Sequence, residues 1–308
     1  MNNCCPLCGA TSATILNVLQ AGDIWDSLES RHAASFDVVT RSQLTPSSQI
    51  ELLACHDCGL QYFSPALPGD AAFYSQLSTS DQNFYNSVTW DFRQALQVIP
   101  KSAKVLDVAC GPGAFLALCR DEGLHATGID TNPHAIAHAR SLGLSVECTL
   151  LSDFSQHHAG SFDVVTAFQV VEHLSDVVPF TMQAVKCLKP GGFLLISVPN
   201  RDRIWREALE PLDCPPHHLS RWEPRQFAEL AERCSLRLHA VHRELASLDH
   251  VRNQLRQFMS PEFSMSLPVR AVAKAMINAV TVPERLRPFL FRALNLWDMS
   301  MLAVLAKD

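Results

Sequence analysis

The sequence predicts an α/β protein: a doubly wound, mostly parallel sheet preceded by a small cysteine-bearing module. Three observations predict it. β-rich runs alternate with helical stretches from Lys104 to Val198, the order expected of a parallel sheet covered on both faces. A glycine turn, Asp107-Val108-Ala109-Cys110-Gly111-Pro112-Gly113, joins the first of these runs to the helical stretch Ala114 to Arg120. Two Cys-x2-Cys-Gly knuckles, beginning at Cys5 and Cys55, lie upstream of the sheet.

The chain has 308 residues, 47% of them hydrophobic and 18% charged, enough to bury the core of one or two domains. A net charge of -6 supplies no basic face for a phosphate backbone, so nucleic acid is a disfavoured partner. The start of the chain has neither the basic nor the apolar region of a signal peptide, and no apolar run approaches the roughly 18 residues of a membrane span. A soluble, cytoplasmic protein is expected.

Of eleven cysteines, five (Cys4, Cys5, Cys8, Cys55 and Cys58) fall in the first 58 residues and the rest are scattered singly through apolar segments. Each knuckle directs two thiolates at one centre from a turn relaxed by glycine. Cys5, Cys8, Cys55 and Cys58 together form the ligand set of a tetrahedral, structural zinc ion, and Cys4 and His56 are spare donors. A redox Cys-x2-Cys occurs once and opens a helix, so two copies favour metal. Between the knuckles, Phe36 to Thr40 and Ile50 to Ala54 read as short β runs of a zinc ribbon occupying residues 1–66.

Residues 67–100 read as a linker and helical cap: Pro65 to Gly69 looks like a connection, and Phe73 to Ile99 is helical and rich in aromatic residues. In the turn that follows, Gly111 and Gly113 let backbone approach a ligand at a helix N-terminus. A dinucleotide fingerprint would need glycine where Leu116 stands, which disfavours a pyrophosphate cofactor. The next strand, His125 to Asp130, ends on an acid about 20 residues beyond the turn, where a carboxylate can accept both hydroxyls of a ribose.

From Asp107 to Gly113, through Phe162-Asp163-Val164-Val165 and Val171-Glu172-His173-Leu174, to Leu188-Lys189-Pro190-Gly191-Gly192 and on to Asn200, the chain resembles class I S-adenosylmethionine-dependent methyltransferases. The departure is Ala109, where the family's loop has its first glycine. The resemblance implies that Asp107, Ala109, Gly111 and Gly113 hold the methionine end of S-adenosylmethionine, that Asp130 binds the ribose, and that Asp153 lies at the adenine edge. Phe168 and Gln169 would line the methyl, and Tyr74, Phe84 and Tyr85 could cover the methionine. Alternatives remain for three of these: Asp107 as a strand-end acid bonding local backbone, Asp153 as a helix cap, and the aromatics as core contacts.

Strands are expected at Val105–Ala109, Ala126–Asp130, Ser145–Cys148, Val164–Phe168, Phe193–Val198, Arg237–His242 and Ser300–Ala306, with helices between the first five. The family's architecture makes this a Rossmann-like, doubly wound seven-stranded sheet whose last strand is antiparallel, spanning residues 101–245 and 299–308. Residues 246–298 form a helical insertion with a broad apolar face from Val269 to Val280. It could be a substrate lid, a homodimer surface or a membrane-resting face, or simply extra helices packed on the sheet.

A hydroxyl acceptor benefits from a general base, and three histidines follow sheet strands: His173, and His217 with His218 in the proline-stiffened loop Asp213 to Trp222. An ordinary imidazole would make the rate rise with pH near 6.5. The Glu172-His173 pair also resembles ubiquinone-pathway O-methyltransferases, whose Glu-x-x-Glu-His pattern is linked to a metal. Gln169 replaces the first glutamate here, and an amide is a poorer ligand for a hard cation. The expected activity is methylation, chiefly O-methylation, of a small-molecule or sugar-containing metabolite. RNA methylation and a non-catalytic cofactor-binding protein are the alternatives.

Overall fold

The computed structural model describes residues 4–32, 34–45, 47–78, 88–203, 209–245 and 297–308. Phe84 and Tyr85, and residues 246–296 of the insertion predicted over 246–298, lie outside the described residues; Trp297 and Asp298, predicted as its end, instead open the last strand, which pairs with its neighbour from Trp297 on.

The N-terminal part contains β1 (Ala13–Gln20), α1 (Ala21–His32), α2 (Val38–Leu44), β2 (Gln49–Cys55) and β3 (Gln61–Ser64). Ile50 to Ala54 lies in β2 as the sequence predicts. Phe36 to Thr40 does not form a strand. Asp37 caps α2, its carboxylate accepting from the Thr40 amide at 2.7 Å, and Val38 and Val39 are left on the surface. An acid that satisfies an otherwise orphaned helix amide outweighs the β preference of two valines with nothing to pack against.

Next come α3 (Ala71–Ser78) and α4 (Trp90–Val98). They lead into β4 (Lys104–Val108), α5 (Ala114–Asp121), β5 (His125–Asp130), α6 (Pro133–Ser141) and β6 (Val146–Cys148). The chain continues through α7 (Leu151–His157), β7 (Phe162–Phe168), α8 (Val177–Cys187) and β8 (Leu188–Pro199). It ends with β9 (Ser220–Arg221), α9 (Pro224–Arg233), β10 (Arg237–Leu245) and β11 (Trp297–Ala306). The large sheet has seven strands in the order β10-β11-β8-β7-β4-β5-β6. β11 runs antiparallel to both of its neighbours, and the pairs among β4 to β8 are parallel. β4, β7 and β8 are buried on both faces, as near-continuous apolar runs must be.

The second sheet runs β1-β2-β3-β9, so its last strand comes from the segment after β8. The two sheets share one core. A single buried cluster extends from Cys5, Leu7 and Leu60 through Trp222, Phe227 and Leu230 to Leu106, Val165 and Ile196. No described helix is long and apolar enough to cross a membrane.

The strand order reverses at β4: β5 and β6 lie on one side, β7 and β8 on the other. In open α/β sheets the ligand crevice lies outside the carboxyl ends of the strands at such a point. The turns after β4 and β7 therefore define where a ligand should sit.

Candidate active site

Those two turns share a conformational signature. Ala109, just past β4, has φ 58° and Gln169, just past β7, has φ 54°, both in the left-handed region that non-glycine residues seldom adopt. Such backbone persists where surrounding structure enforces it, and it clusters at functional sites. At Gly113, which caps α5 with φ 91°, a Cβ would stand 2.5 Å from Leu144 Cδ1 and 3.2 Å from Ala139 Cβ, so α5 and α6 can approach only over a glycine. At Gly111 a Cβ would meet nothing within 4 Å, which leaves the outer side of the loop open.

Carboxylates gather around this loop. Asp130 holds it: one oxygen accepts from the Gly111 amide and the other from the Asn132 amide, both at 2.8 Å. Asp107 is 2% exposed and accepts from the Thr166 hydroxyl at 2.7 Å. Burial pushes its carboxyl up to about 7, and the nearby carboxylates of Asp130 and Asp91 push the same way. Asp91, in the first turn of α4, is 1% exposed and accepts from Ser197 Oγ at 2.5 Å and from Gln169 Nε2 at 3.3 Å. Three acids thus lie close together around the loop, and the other two add to the rise of Asp107. The donor set suits a cation and is hostile to a pyrophosphate.

Phe168 ends β7 with its ring edge-on to Phe92 and Phe115, at centroid distances of 4.9 and 4.7 Å. Asp153 is exposed in the first turn of α7, where the N-cap residue is Leu150 and makes no side-chain cap bond. Tyr74 Oη lies 3.0 Å from His173 Nδ1.

The three histidines predicted from the sequence meet. Their ring centroids are 4.4 to 4.8 Å apart, and each ring offers a nitrogen within 4.8 Å of the others. His173 Nδ1 donates to the His217 carbonyl at 2.6 Å, and His217 Nδ1 donates to the Leu212 carbonyl at 2.9 Å. Because a carbonyl can only accept, both rings carry their proton on Nδ1 when neutral. Burial keeps them neutral, pulling His173 down to about 4 and His217 to about 3, and driving His218 well below its ordinary value. The expected titration near 6.5 is therefore displaced downward, because packing three imidazoles out of water penalises their charged form and leaves them neutral at rest.

Glu172 sits beside this cluster with no exposure, and neither carboxyl oxygen has a hydrogen-bond partner among the described residues. Burial raises it well above the ordinary carboxyl range, which favours the neutral acid. Its backbone carbonyl accepts from the Leu219 amide at 2.7 Å, tying the histidine loop to the turn after β7.

In the N-terminal part, Cys5 Sγ lies 3.5 Å from Cys58 Sγ and Cys8 Sγ lies 3.4 Å from Cys55 Sγ, with all four sulfurs within 4.8 Å of one another. Sulfurs around a tetrahedral zinc with bonds of about 2.3 Å stand about 3.8 Å apart, so this donor set fits that ion. His56 is engaged elsewhere, with its ring nitrogens 2.8 Å from Ser12 Oγ and 2.7 Å from Thr14 Oγ1.

Sequence reasoning missed Asp91 and three arginines, Arg201, Arg203 and Arg221, that converge beside His218. An acid in a helix's first turn reads as a surface complement to the helix dipole, and nothing in its spacing reveals burial.

A family model described as a methyltransferase domain matches residues 86–241. A ubiquinone biosynthesis O-methyltransferase of Thiobacillus denitrificans is 36% identical over 105 residues, which cover 32% of this chain and 45% of the relative. One of Xanthomonas campestris is 35% identical over 122 residues, 38% of this chain and 51% of the relative. The chain therefore spans about half the length of the curated relatives it matches. Among solved structures, a SAM-dependent methyltransferase from Archaeoglobus fulgidus superposes with a TM-score of 0.53 at 19% identity, covering 77% of this chain and all of the other, a likeness of fold.

Proposed function

The chain belongs to the methyltransferase-domain family, and from that premise we propose that it methylates an oxygen of a small-molecule acceptor with S-adenosylmethionine. The observation that carries this reading is the gathering of Asp91, Asp107 and Asp130 around a glycine loop open at Gly111. A carboxylate-rich crevice favours a ligand bearing a sulfonium and an ammonium. The O-methyltransferase relatives support oxygen as the acceptor atom.

When bound, S-adenosylmethionine supplies an electrophilic methyl on sulfur. The chain's own residues bind, orient and take a proton. Asp130 would accept from the ribose hydroxyls while keeping the Gly111 amide in place, and Asp153 would meet the adenine edge. Asp107 and the turn Ala109 to Gly113 would hold the methionine end. Gln169, latched to Asp91 and Ser197, would line the reaction centre with Phe168. His217 or His218, neutral and buried, would accept the acceptor's hydroxyl proton, with His173 holding the pair through the His217 carbonyl. Cys5, Cys8, Cys55 and Cys58 would carry a structural zinc that fastens the N-terminal sheet.

Calorimetric titration of the purified chain with S-adenosylmethionine, then mass spectrometry of a metabolite extract incubated with both, tests the reading. Saturable cofactor binding and an acceptor gaining one methyl on oxygen are expected. Absence of cofactor binding would refute it.

A further inference from the structure

We propose that the cysteine-bearing module positions the acceptor half of the active site. Its second knuckle grips the segment from Leu219 to Gln226 at both ends and so sets His217 and His218, which makes turnover depend on zinc while the cofactor loop does not. This deepens the methyltransferase reading and rests on it, and on the zinc proposed for Cys5, Cys8, Cys55 and Cys58. At the front of the segment, β3 leaves the knuckle three residues after Cys58, and its Gln61 and Tyr62 pair with Arg221 and Ser220 of β9. The Phe63 amide donates to the Leu219 carbonyl at 3.0 Å, and further along the Gly69 amide donates to the Pro216 carbonyl at 2.7 Å. At the back, the fully buried Gln226 side chain donates to the Cys58 carbonyl at 2.9 Å and accepts from the Glu223 amide at 2.9 Å. Arg225 donates to the Gly59 carbonyl at 3.3 Å, an approach open only because position 59 is a glycine: a Cβ there would stand 2.0 Å from Arg225 Nη2.

A strand of two residues has no stability of its own, so the course of β9 follows that of its template β3. His217 and His218 stand immediately before the stretch that β3 holds. Leu219 also donates to the Glu172 carbonyl at 2.7 Å, which spans the loop between the knuckle and the turn after β7. The cofactor side is built otherwise. Asp130 of β5 holds the Gly111 amide, and the buried cluster behind that loop, with Cys110, Leu116, Ile136 and Leu144, is drawn wholly from residues between 110 and 146. Four thiolates on one ion fix the two knuckles against each other. Without the ion, the grip on Leu219 to Gln226 loosens while Asp130 still holds the glycine loop.

Hydrogen–deuterium exchange of the full chain, zinc-loaded, chelator-treated and as Gln226→Leu, tests this at a temperature where each is folded. S-adenosylmethionine is titrated by calorimetry in parallel, and transfer of labelled methyl into a metabolite extract is followed at saturating cofactor. Zinc removal should speed exchange over residues 214–226 by about tenfold or more, while residues 105–116 exchange as before and cofactor affinity holds. Turnover should fall by about tenfold or more at that unchanged affinity, a split that a metal serving stability alone would not produce. If the metal-free chain unfolds outright, Gln226→Leu, which keeps all four cysteines and their zinc, should show the same pattern. The inference is overturned if the folded metal-free or Gln226→Leu protein exchanges over residues 214–226 as the loaded wild type does. It is equally overturned if residues 105–116 loosen as much, or if the purified wild type carries no zinc. Failure of the loaded wild type to bind S-adenosylmethionine would strike the methyltransferase reading instead, and the exchange comparison would still decide whether the knuckle holds the histidine loop.

Discussion

The Ser197 hydroxyl donates to the Asp91 carboxylate at 2.5 Å, joining the first turn of α4 to β8 across 106 residues of sequence. Gln169 donates to the same oxygen, so one buried acid fastens the helix in front of the sheet to both strands that frame the crevice. Asp91→Ala would leave the fully buried Ser197 hydroxyl without its acceptor. The expected cost is about 1–3 kcal/mol, read as a lower denaturant midpoint, with Asp91→Asn milder because it keeps an acceptor. An unchanged midpoint in the alanine variant would mean that the latch contributes nothing.

Asp107 makes the fold's stability depend on pH in an unusual direction. Its carboxyl titrates near 7 when folded and near 3.8 as an ordinary aspartate, so the native state holds a proton that the unfolded chain gives up. That contribution is lost as pH rises from about 4 to about 7. Relative to wild type, Asp107→Asn should therefore gain stability steadily over this range. Denaturant unfolding at pH 5 and pH 8 checks this, and an equal difference at both would refute it. A cationic cofactor favours the ionised acid, so S-adenosylmethionine affinity should rise with pH through the same interval.

Much of this fold is legible in the sequence because its causes are local. Apolar runs such as Val164 to Phe168 have to be interior strands, and Cys5, Cys8, Cys55 and Cys58 announce a shared centre by their spacing alone. Phe36 to Thr40 misleads for an equally local reason: Asp37 acts as a cap, and capping depends on the geometry of one side chain. What is not legible depends on assembly. Arg201, just past β8, and Arg221, in β9, meet only because the segment after β8 pairs with β3 of the other sheet. The histidine loop is recognisable from Pro215-Pro216-His217-His218, but its depressed basicity comes from atoms that other segments pack around it.

Asp130→Ala should weaken S-adenosylmethionine binding by about 1.5–3 kcal/mol, since it removes both a ribose acceptor and the support of the Gly111 amide. Calorimetry is the check. Unchanged affinity would move the ribose site away from the end of β5.

Purified protein should carry about one zinc per chain, and Cys55→Ser should lose it. Because Cys5, Cys55 and Cys58 belong to the same buried cluster as Trp222 and Phe227, metal loss should lower the melting temperature of the whole chain rather than free an independent module. Elemental analysis with and without a chelator, combined with a thermal melt, decides it. A metal-free preparation that melts at the same temperature would end this reading.

The last prediction concerns His217 and His218. If one of them takes the acceptor's proton, replacing it by Ala should lower kcat by about 10²–10⁴-fold while S-adenosylmethionine affinity holds, since a base acts mainly in the transition state. Both are neutral well below pH 6, so the rate should stay flat between about pH 6 and 8 instead of rising through 6.5 as for an exposed imidazole. The same burial leaves a mark on stability. The unfolded chain protonates these rings near 6.5 and the folded chain only far lower, so the unfolded state binds more protons as the pH falls. Stability contributed by the neutral rings is therefore lost below about pH 6.5. His217→Gln and His218→Gln should each make the fall shallower, by up to about 1.4 kcal/mol per pH unit for each imidazole removed. Unfolding curves at pH 5 and 6.5 together with steady-state rates separate the two roles. Shallower acid sensitivity with normal kcat would make the loop histidines packing residues and leave His173, or alignment of an already nucleophilic acceptor, to account for the chemistry.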